Sequence, residues 1–284
     1  MSATCPTISV VIPFHRAMFF RECIGSVLVQ TYRPFEIIVV NDGAKSADAE
    51  ILEEFSRRAC IIHQTNHGPG AARNVGVSVA SGEWIAFLDD DDVWDPKRLE
   101  MLTEYINTHL NCNAVYNSYR IIDTERVSSA RDLSLNDLLN SYPSPVKSSS
   151  VVLRKTTLMQ AGLMNCTLPL CVDFECFVRI ATLTNFCGVD VPLTGRRKHA
   201  GNISGQLRLK YRFRNRLLNL YQDRYRSKAE HRRFALRMNC RFLEQCIARR
   251  DISGVREIFR LAGGNGVSAI WLLTELVRRI FVKS

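Results

Sequence analysis

The chain has 284 residues, of which 46% are hydrophobic and 23% are charged. These values are typical of a folded globular protein, and they exclude a disordered, collagenous or polytopic membrane chain. At this length we expect one large domain with an appendage, or two domains.

The net charge of +10 at pH 7 is unevenly distributed along the chain. The 38 Lys and Arg divide equally, with 19 in residues 1–205 and 19 in residues 206–284. Of the 28 Asp and Glu, 22 lie in the first part and 6 in the second, so the two parts carry net charges of −3 and +13. We therefore expect a domain boundary near residue 205. A basic C-terminal region could attract anionic lipid, a phosphorylated acceptor or nucleic acid, although a solvated helical face is the commoner explanation.

The ten cysteines contain no CxxC pair, and Cys166, Cys171 and Cys176 do not have the spacing of a zinc site. With no recognisable signal peptide, we expect reduced, buried thiols in a cytoplasmic protein. No apolar run reaches 18 residues, so no transmembrane helix is expected. The apolar segment 267–282 is expected to be a docked helix, with an interfacial helix as the alternative.

Short apolar runs alternate with helix-like stretches over the first hundred residues. Strands are predicted at 8–12, 36–40, 60–62 and 84–88, and helices at 18–31, 47–58, 70–80 and 96–110. This alternation predicts an α/β domain with a mostly parallel sheet. Later strands are predicted at 114–116, 119–122 and 148–153, and a helix at 156–162. Amphipathic stripes after residue 206 predict several packed helices.

Polar segments follow three of these strands, at the sheet edge where α/β proteins bind ligands. They are Pro13, Phe14, His15 and Arg16 after the first strand, Asn41, Asp42 and Gly43 after the second, and Asp89, Asp90, Asp91 and Asp92 after the fourth. Four adjacent carboxylates repel one another unless a cation neutralises them, and Asp89 and Asp91 share a face of the extended chain. Carboxylate oxygens suit Mg²⁺ or Mn²⁺, which favours a metal site that includes Asp91. An acidic turn with Asp95 as a helix N-cap explains Asp92 equally well.

These segments, in this order, resemble the family 2 glycosyltransferases, which are inverting, non-processive enzymes of GT-A fold. The matching motifs are PFHR at 13–16, EIIVVNDG at 36–43, Asn66 with GAARNVG at 70–76, and GEWIAFLDDDDVWDP at 82–96. The resemblance covers residues 7–100 strongly and residues 145–205 weakly. It implies an α/β fold of GT-A type over residues 1–205, with a nucleotide-sugar half (1–110) and an acceptor half (111–205). A basic helical C-terminal region (206–284) follows.

The resemblance also implies roles for individual residues of the first half. Those that flank the base and ribose are Pro13, Phe14, His15 and Arg16. Asp42 is similar to the acid that accepts the uracil N–H, for which a carboxylate is chemically suited, although an Asx-turn explains it as well. Arg73 resembles an arginine near the base and phosphates, the alternative being an ordinary surface arginine. In the DxD motif, Asp91 would coordinate the metal, and Asp89 or Asp90 would bind the ribose.

In the second half, Asp173 aligns with the catalytic base of the family, although an N-cap is the structural alternative. The preceding Glu of the family motif is replaced by Val172, and Glu175 is the second candidate for the base. The segment 196–204 resembles the closing loop of the family. In that loop His199 would ligate the metal or contact the diphosphate, and a structural histidine is an equally good explanation.

The function implied by the resemblance is transfer of a sugar from a nucleoside-diphosphate sugar, taken as a UDP-sugar, with Mn²⁺ or Mg²⁺. The acceptor would be a hydroxyl of a glycan or lipid-linked glycan in cell-surface polysaccharide synthesis. One alternative is a nucleotidyltransferase or other nucleotide-sugar enzyme, in which Asp173 and His199 would have no role.

The alternating basic residues of segment 208–216 suggest two further partners. A nucleic-acid-binding module is disfavoured because no aromatic stacking platform is interleaved with the arginines, so we expect no nucleic-acid partner. An anionic membrane surface is the other hypothesis, and it would place the protein peripherally at the inner face of the cytoplasmic membrane.

Overall fold

The apolar runs of the first hundred residues form one side of an eight-stranded mixed sheet. The computed structural model describes residues 5–168, 170–199, 207–265 and 267–281. The strands are β1 (Ile8–Phe14), β2 (Glu36–Asp42), β3 (Cys60–Gln64), β4 (Trp84–Phe87), β5 (Val93–Trp94), β6 (Ala114–Ile121), β7 (Val151–Arg154) and β8 (Cys187–Arg196). The helices are α1 (Phe20–Leu28), α2 (Ser46–Ala49), α3 (Pro69–Val79), α4 (Arg98–Thr108), α5 (Leu135–Leu139), α6 (Lys155–Gln160), α7 (Val172–Ala181), α8 (Leu207–Leu220), α9 (Lys228–Ala248), α10 (Ile252–Ala262) and α11 (Ala269–Phe281).

The strand order is β3-β2-β1-β4-β7-β6-β8-β5. The first four strands in this order are parallel, whereas β7 runs antiparallel to both β4 and β6. Every residue of β1 and β4 is buried, because helices such as α1 and α3 cover the faces of the sheet. Such fully buried parallel strands read as continuous apolar runs, which is why the sequence revealed them. The carboxyl ends of β1, β2 and β4 meet at one edge.

The second half of the sheet departs from the prediction in three places. The two short strands expected at 114–116 and 119–122 are one strand, β6, whose pairing with β8 shifts register around Ser118. The start of the predicted strand 148–153 is a turn of 3₁₀ helix at Ser148–Ser150. Strand β8 was not predicted, because Gly188, Pro192 and Gly195 are poor strand formers.

The cysteines also differ from the expectation of reduced thiols throughout. Cys112 and Cys187 form a disulfide across 75 residues of sequence. Cys112 precedes β6 and Cys187 begins β8, and the parallel pairing of these two strands brings the two residues together. Sequence spacing alone could not reveal this pairing, because β8 itself was not predicted.

Two helical glycines offer a matched test of how tightly α3 packs on β1. A Cβ at Gly76 would overlap Val11 Cγ1, whereas a Cβ at Gly25 of α1 has no neighbour within 4 Å. We expect Gly76→Ala to destabilise the protein by about 2 kcal/mol or more, and Gly25→Ala to stabilise it by about 0.5–1 kcal/mol. Urea unfolding of both variants measures the difference, and equal effects would contradict close α3–β1 packing.

The described residues form two units. The first contains the described residues up to 138 and residues 143–199. The second contains residues 139–142 and the described residues from 207 on. In the second unit, α8, α10 and α11 each contact α9. Helix α11 docks through the buried Leu272 and Leu276. The predicted boundary near residue 205 lies outside the described residues. In the described part of the chain, no helix is both long and apolar enough to cross a bilayer.

Several basic residues of segment 208–216 form ion pairs or hydrogen bonds with other residues of the second unit. Arg208 pairs with Asp251 at 3.1 Å, and Arg212 pairs with Glu257. Arg214 is 3% exposed and donates to the carbonyl of Ser141. Arg208 and Arg212 are thus ion-paired although exposed, and Arg214 is buried, so less unpaired positive charge faces the solvent than the sequence suggested.

Candidate active site

Three of the four consecutive aspartates converge beyond the end of β4. Asp89, Asp91 and Asp92 each place a carboxylate oxygen within 4.8 Å of the others. The sequence predicted that Asp89 and Asp91 share a face of an extended chain. They do lie close together, but β4 ends at Phe87, and a turn closed by the Asp92 amide on the Asp89 carbonyl brings Asp92 beside them as well. We call this group of three the acidic cluster. Its oxygens have the number and spacing needed to hold a divalent cation.

Asp90 points away from the acidic cluster toward the loop that follows β1. Its Oδ2 accepts hydrogen bonds from the backbone amides of His15 (2.8 Å) and Arg16 (3.1 Å). Burial raises the pKa of Asp90 to about 6, although these two amides oppose the shift. Asp90 therefore fixes the backbone of this loop.

Asp92 is the most deeply buried member of the cluster, at 2% exposed. Its carboxylate accepts from the Ser149 hydroxyl at 2.6 Å and from the Arg197 amide at 2.9 Å. The Ser149 hydroxyl also accepts from the Asp89 amide at 3.2 Å. Ser149 thus holds two of the clustered residues, yet nothing in its sequence context, a run of three serines, indicated this.

Two arginines flank the cluster, of which Arg73 is buried and Arg196 is half-buried. Arg73 of α3 is 6% exposed and pairs with Asp89, and Arg196 lies 3.8 Å from Asp92. Burial lowers the pKa of each guanidinium, but the surrounding carboxylates outweigh this and raise it. Asp89 contributes to both shifts, and so does Asp173. The alternative of an ordinary surface arginine at Arg73 is therefore wrong, because its helix face is turned into the site.

His199 lies beside Asp91, with Nε2 2.9 Å from Oδ2. The Phe19 ring before α1 lies 5.2 Å from the imidazole and 4.2 Å from the Arg197 guanidinium. Arg197 also pairs with Glu22 of α1 at 2.7 Å. The two residues predicted as metal ligands are thus brought into contact, and α1 holds the segment that carries His199. Residues 200–204 of the predicted closing loop lie outside the described residues.

Asp42 ends β2 and is 4% exposed. Its Oδ1 accepts from the Gln64 side chain at 2.7 Å and from the His67 amide at 2.8 Å. The Asx-turn considered for Asp42 is made instead by Asn41, whose Oδ1 accepts from the Ala44 amide at 2.9 Å. Gln64 was not predicted, since its role depends on the parallel pairing of β2 with β3.

The loop predicted to begin at Pro13 begins later. Pro13 and Phe14 are buried in β1, and the Phe14 ring packs edge-on against Phe20 at 4.7 Å. His15 and Arg16 are exposed. The His15 Nδ1 lies 3.2 Å from the Asp42 carbonyl, so the ends of β1 and β2 are tied together.

Asp173 lies in the first turn of α7, and its charge acts on both Arg73 and Arg196, as described above. Glu175, the second candidate for the base, is 4% exposed and binds Arg179 at 2.8 Å. Arg179 in turn donates to the carbonyls of Ala161 and Leu163. Glu175 therefore has a structural partner that holds the chain before α7.

The buried carboxyls make the stability of the metal-free protein depend on pH. Burial raises the pKa of Asp92 from 3.8 to about 7, with repulsion from Asp89 adding to the shift. The folded protein thus retains protons that the unfolded chain releases, so this stabilisation is present below about pH 4 and is lost as the pH rises to about 7. We expect the midpoint of urea unfolding, measured in EDTA, to fall over this range. Asp92→Asn should flatten the dependence, and an unchanged slope would contradict the burial of this acid.

Known proteins share this architecture or parts of this sequence. The structure of TarS from S. aureus in complex with UDP-GlcNAc superimposes with a TM-score of 0.61 at 17% identity, covering 89% of this chain and 90% of that one. An uncharacterized glycosyltransferase of Rickettsia prowazekii is 30% identical over 195 residues, and glycosyltransferase GlyA of Streptococcus pneumoniae is 38% identical over 122. These matches cover 63% and 42% of this chain, and 60% and 18% of the respective relatives. The chain thus matches less than two thirds of the length of these curated relatives.

The eight-stranded mixed sheet flanked by helices is the GT-A fold, followed here by C-terminal helices. The family model for glycosyl transferase family 2 matches residues 9–162, more than half of the chain. The chain belongs to glycosyl transferase family 2.

Proposed function

We propose that the protein is an inverting, metal-dependent glycosyltransferase that moves a sugar from a UDP-sugar to a hydroxyl acceptor. The observation that carries this proposal is the convergence of the acidic cluster with Arg73 and Arg196 at the carboxyl edge of the sheet. Asp42 lies at the end of β2, at the same edge. The charge of Asp173 contributes to the raised pKa of both arginines. Anionic and cationic groups together suit a cation and a diphosphate in one site.

The acidic cluster suits Mn²⁺ or Mg²⁺, because its donors are carboxylate oxygens within 4.8 Å of one another. Asp91 and His199, which are in contact, would hold the ion. When bound, such an ion stabilises the negative charge of a leaving diphosphate. Burial and repulsion from Asp89 raise the pKa of Asp91, and a bound cation would offset that repulsion.

The donor nucleotide is assigned to the ends of β1 and β2. The uracil imide N–H would donate to Asp42, whose Oδ1 is held by Gln64 and His67. His15 and Arg16 would flank the base and ribose, on a backbone that Asp90 fixes. Asp89 would bind the ribose, and Arg73 would lie near the phosphates. The likeness to TarS, solved with UDP-GlcNAc and with UDP, supports a uridine nucleotide.

Asp173 is assigned as the general base. Its carboxylate takes the proton of the acceptor hydroxyl as that oxygen bonds to the sugar C1, while the bond from C1 to the diphosphate oxygen breaks. The electron pair of that bond leaves with the diphosphate, toward Arg73 and Arg196.

The acceptor is assigned as a glycan or lipid-linked glycan in cell-surface polysaccharide synthesis. The proposed location is the cytoplasm, with a peripheral contact with anionic membrane. Flotation with anionic and with zwitterionic vesicles tests the membrane contact.

A donor panel tests the proposal directly. The purified protein is incubated with a set of UDP-, GDP- and dTDP-sugars, in Mn²⁺ and in EDTA, and released nucleotide is measured. We expect release from a UDP-sugar in Mn²⁺ and none in EDTA, together with a rise in Tm when UDP and Mn²⁺ are both present. Turnover that is equal in EDTA would refute metal dependence, and binding of no nucleotide sugar would refute the transferase assignment.

A further inference from the structure

Helix α3 carries an asparagine, Asn74, that no step of the proposed sugar transfer uses. It directly follows Arg73, whose guanidinium pairs with Asp89 of the acidic cluster. The Asn74 side chain instead contacts the chain between α6 and α7, of which residues 161–168 and 170–171 are described. We call this stretch the connecting chain. It leads into α7, the helix that carries Asp173 in its first turn.

The amide of Asn74 binds the backbone of Met164 through both of its polar atoms. Its Nδ2 donates to the Met164 carbonyl at 2.9 Å, and its Oδ1 accepts from the Met164 amide at 2.9 Å. The same Nδ2 lies 3.2 Å from the Cys166 sulfur. Met164 is 3% exposed, so truncating Asn74 would take this acceptor away from a buried backbone amide, which is costly. One side chain therefore fastens the connecting chain to α3.

The backbone of the connecting chain has a shape that other parts of the protein must impose. Leu163 has a φ of 59°, and Cys171, which immediately precedes α7, has a φ of 60°. Side chains other than glycine rarely adopt this left-handed conformation, and each instance costs on the order of 1–3 kcal/mol. Such residues persist only where their surroundings hold them, and the bonds from Asn74 to the residue after Leu163 are one such restraint.

Helix α7 is tied both to the connecting chain and to α3. Arg179 of α7 donates to the Leu163 carbonyl. In addition, a Cβ at Gly70 would lie 2.8 Å from Val172 Cγ1, so the first turn of α3 closely approaches the first turn of α7. The start of α7 is thus joined to α3 directly through Val172 and, by way of the connecting chain, through Asn74.

We propose that Asn74 is a positioning residue for Asp173, which directly follows Val172. Helix α3 then serves both sides of the reaction, because Arg73 lies toward the leaving diphosphate and Asn74 holds the helix that carries the base. This rests on the proposed function, in which Asp173 takes the proton of the acceptor. Attack in line tolerates little displacement, and a misplacement of about 1 Å can lower the rate by about 100-fold.

Asn74→Ala removes this link, and Asn165→Ala is its matched control. Asn165 is half-buried, as Asn74 is, and directly follows Met164. Its Oδ1 accepts from the Thr167 amide at 3.1 Å and from the Thr167 hydroxyl at 2.7 Å. Each variant loses one amide side chain that binds the connecting chain, but the bonds of Asn165 stay within that chain.

Two measurements on the full chain separate positioning from general weakening. Hydrogen exchange followed by mass spectrometry, with no substrate, reports the opening of α7. We expect its first amides to exchange about fivefold or more faster in Asn74→Ala, and less than about twofold faster in Asn165→Ala. With the UDP-sugars of the donor panel and Mn²⁺, kcat of Asn74→Ala should fall by about 10- to 100-fold. The Kd for UDP, measured by calorimetry in Mn²⁺, should change by less than about twofold.

Unchanged exchange in α7, or equal effects of the two variants, would overturn the proposal. Parallel losses of kcat and of UDP affinity would do the same, because they would show that Asn74 supports Arg73 and not the base. A wild-type protein that turns over no UDP-sugar would refute the proposed function itself. Exchange in α7 requires no substrate, so it distinguishes these two failures.

Discussion

Replacing Asp91 with asparagine is expected to lower sugar transfer about a thousandfold while leaving the protein folded. Asparagine keeps the shape of the side chain but removes a negatively charged oxygen from the acidic cluster, where three carboxylates lie within 4.8 Å. A loss of this size corresponds to about 4 kcal/mol of transition-state stabilisation, which is within what a bound cation supplies. Initial rates at saturating UDP-sugar, measured across a Mn²⁺ titration, give the effect on both the maximal rate and the metal requirement.

Folding should survive this substitution, because burial already disfavours the charge on Asp91. The matched control is Asp123→Asn, at an exposed residue with a φ of 62°, a conformation that asparagine also tolerates. The control should retain full activity. Unchanged activity of Asp91→Asn at limiting Mn²⁺ would remove Asp91 from the assigned metal site.

The second large effect is expected for Asp173→Asn, which removes the assigned base. We expect kcat to fall by about 10²- to 10⁴-fold, the range typical of general-base removal. The affinity for UDP should change little, because Asp173 is not among the residues assigned to the nucleotide. Calorimetry with UDP and Mn²⁺ separates this loss of turnover from a loss of donor binding.

Glu175→Gln is the control, two residues along the same helix. Its carboxylate binds Arg179, which holds the carbonyls of Ala161 and Leu163, so we expect a lower Tm with turnover largely kept. A pattern with Glu175→Gln inactive but well folded, and Asp173→Asn active, would transfer the role of base to Glu175.

The donor half of the fold could be predicted from the sequence because its strands are buried on both faces. Such strands appear as short runs of Ile and Val, as in β1 and β2, and the polar residues after them mark the carboxyl edge. The four aspartates were singled out in the same way, but their convergence depends on a turn after β4, closed by the Asp92 amide on the Asp89 carbonyl, and not on the strand period.

The second half could not be predicted as well, because its contacts join distant residues through strands of weak local propensity. Strand β8 contains Pro192 and two glycines, so its place beside β6 and the disulfide from Cys112 were both missed. Gln64 and Ser149 were missed for a related reason. Each is an ordinary polar residue until the sheet places it against a carboxylate.

Ser149 belongs to the half of the sheet assigned to the acceptor, yet its hydroxyl holds the backbone of Asp89 and the carboxylate of Asp92. Its carbonyl also accepts from the indole of Trp94, two residues after the last of the aspartates. A chimera that grafts a foreign acceptor half onto residues 1–110 would therefore have to supply a hydroxyl at this position. Modular exchange of specificities within such a scaffold is constrained by one side chain that spans the junction.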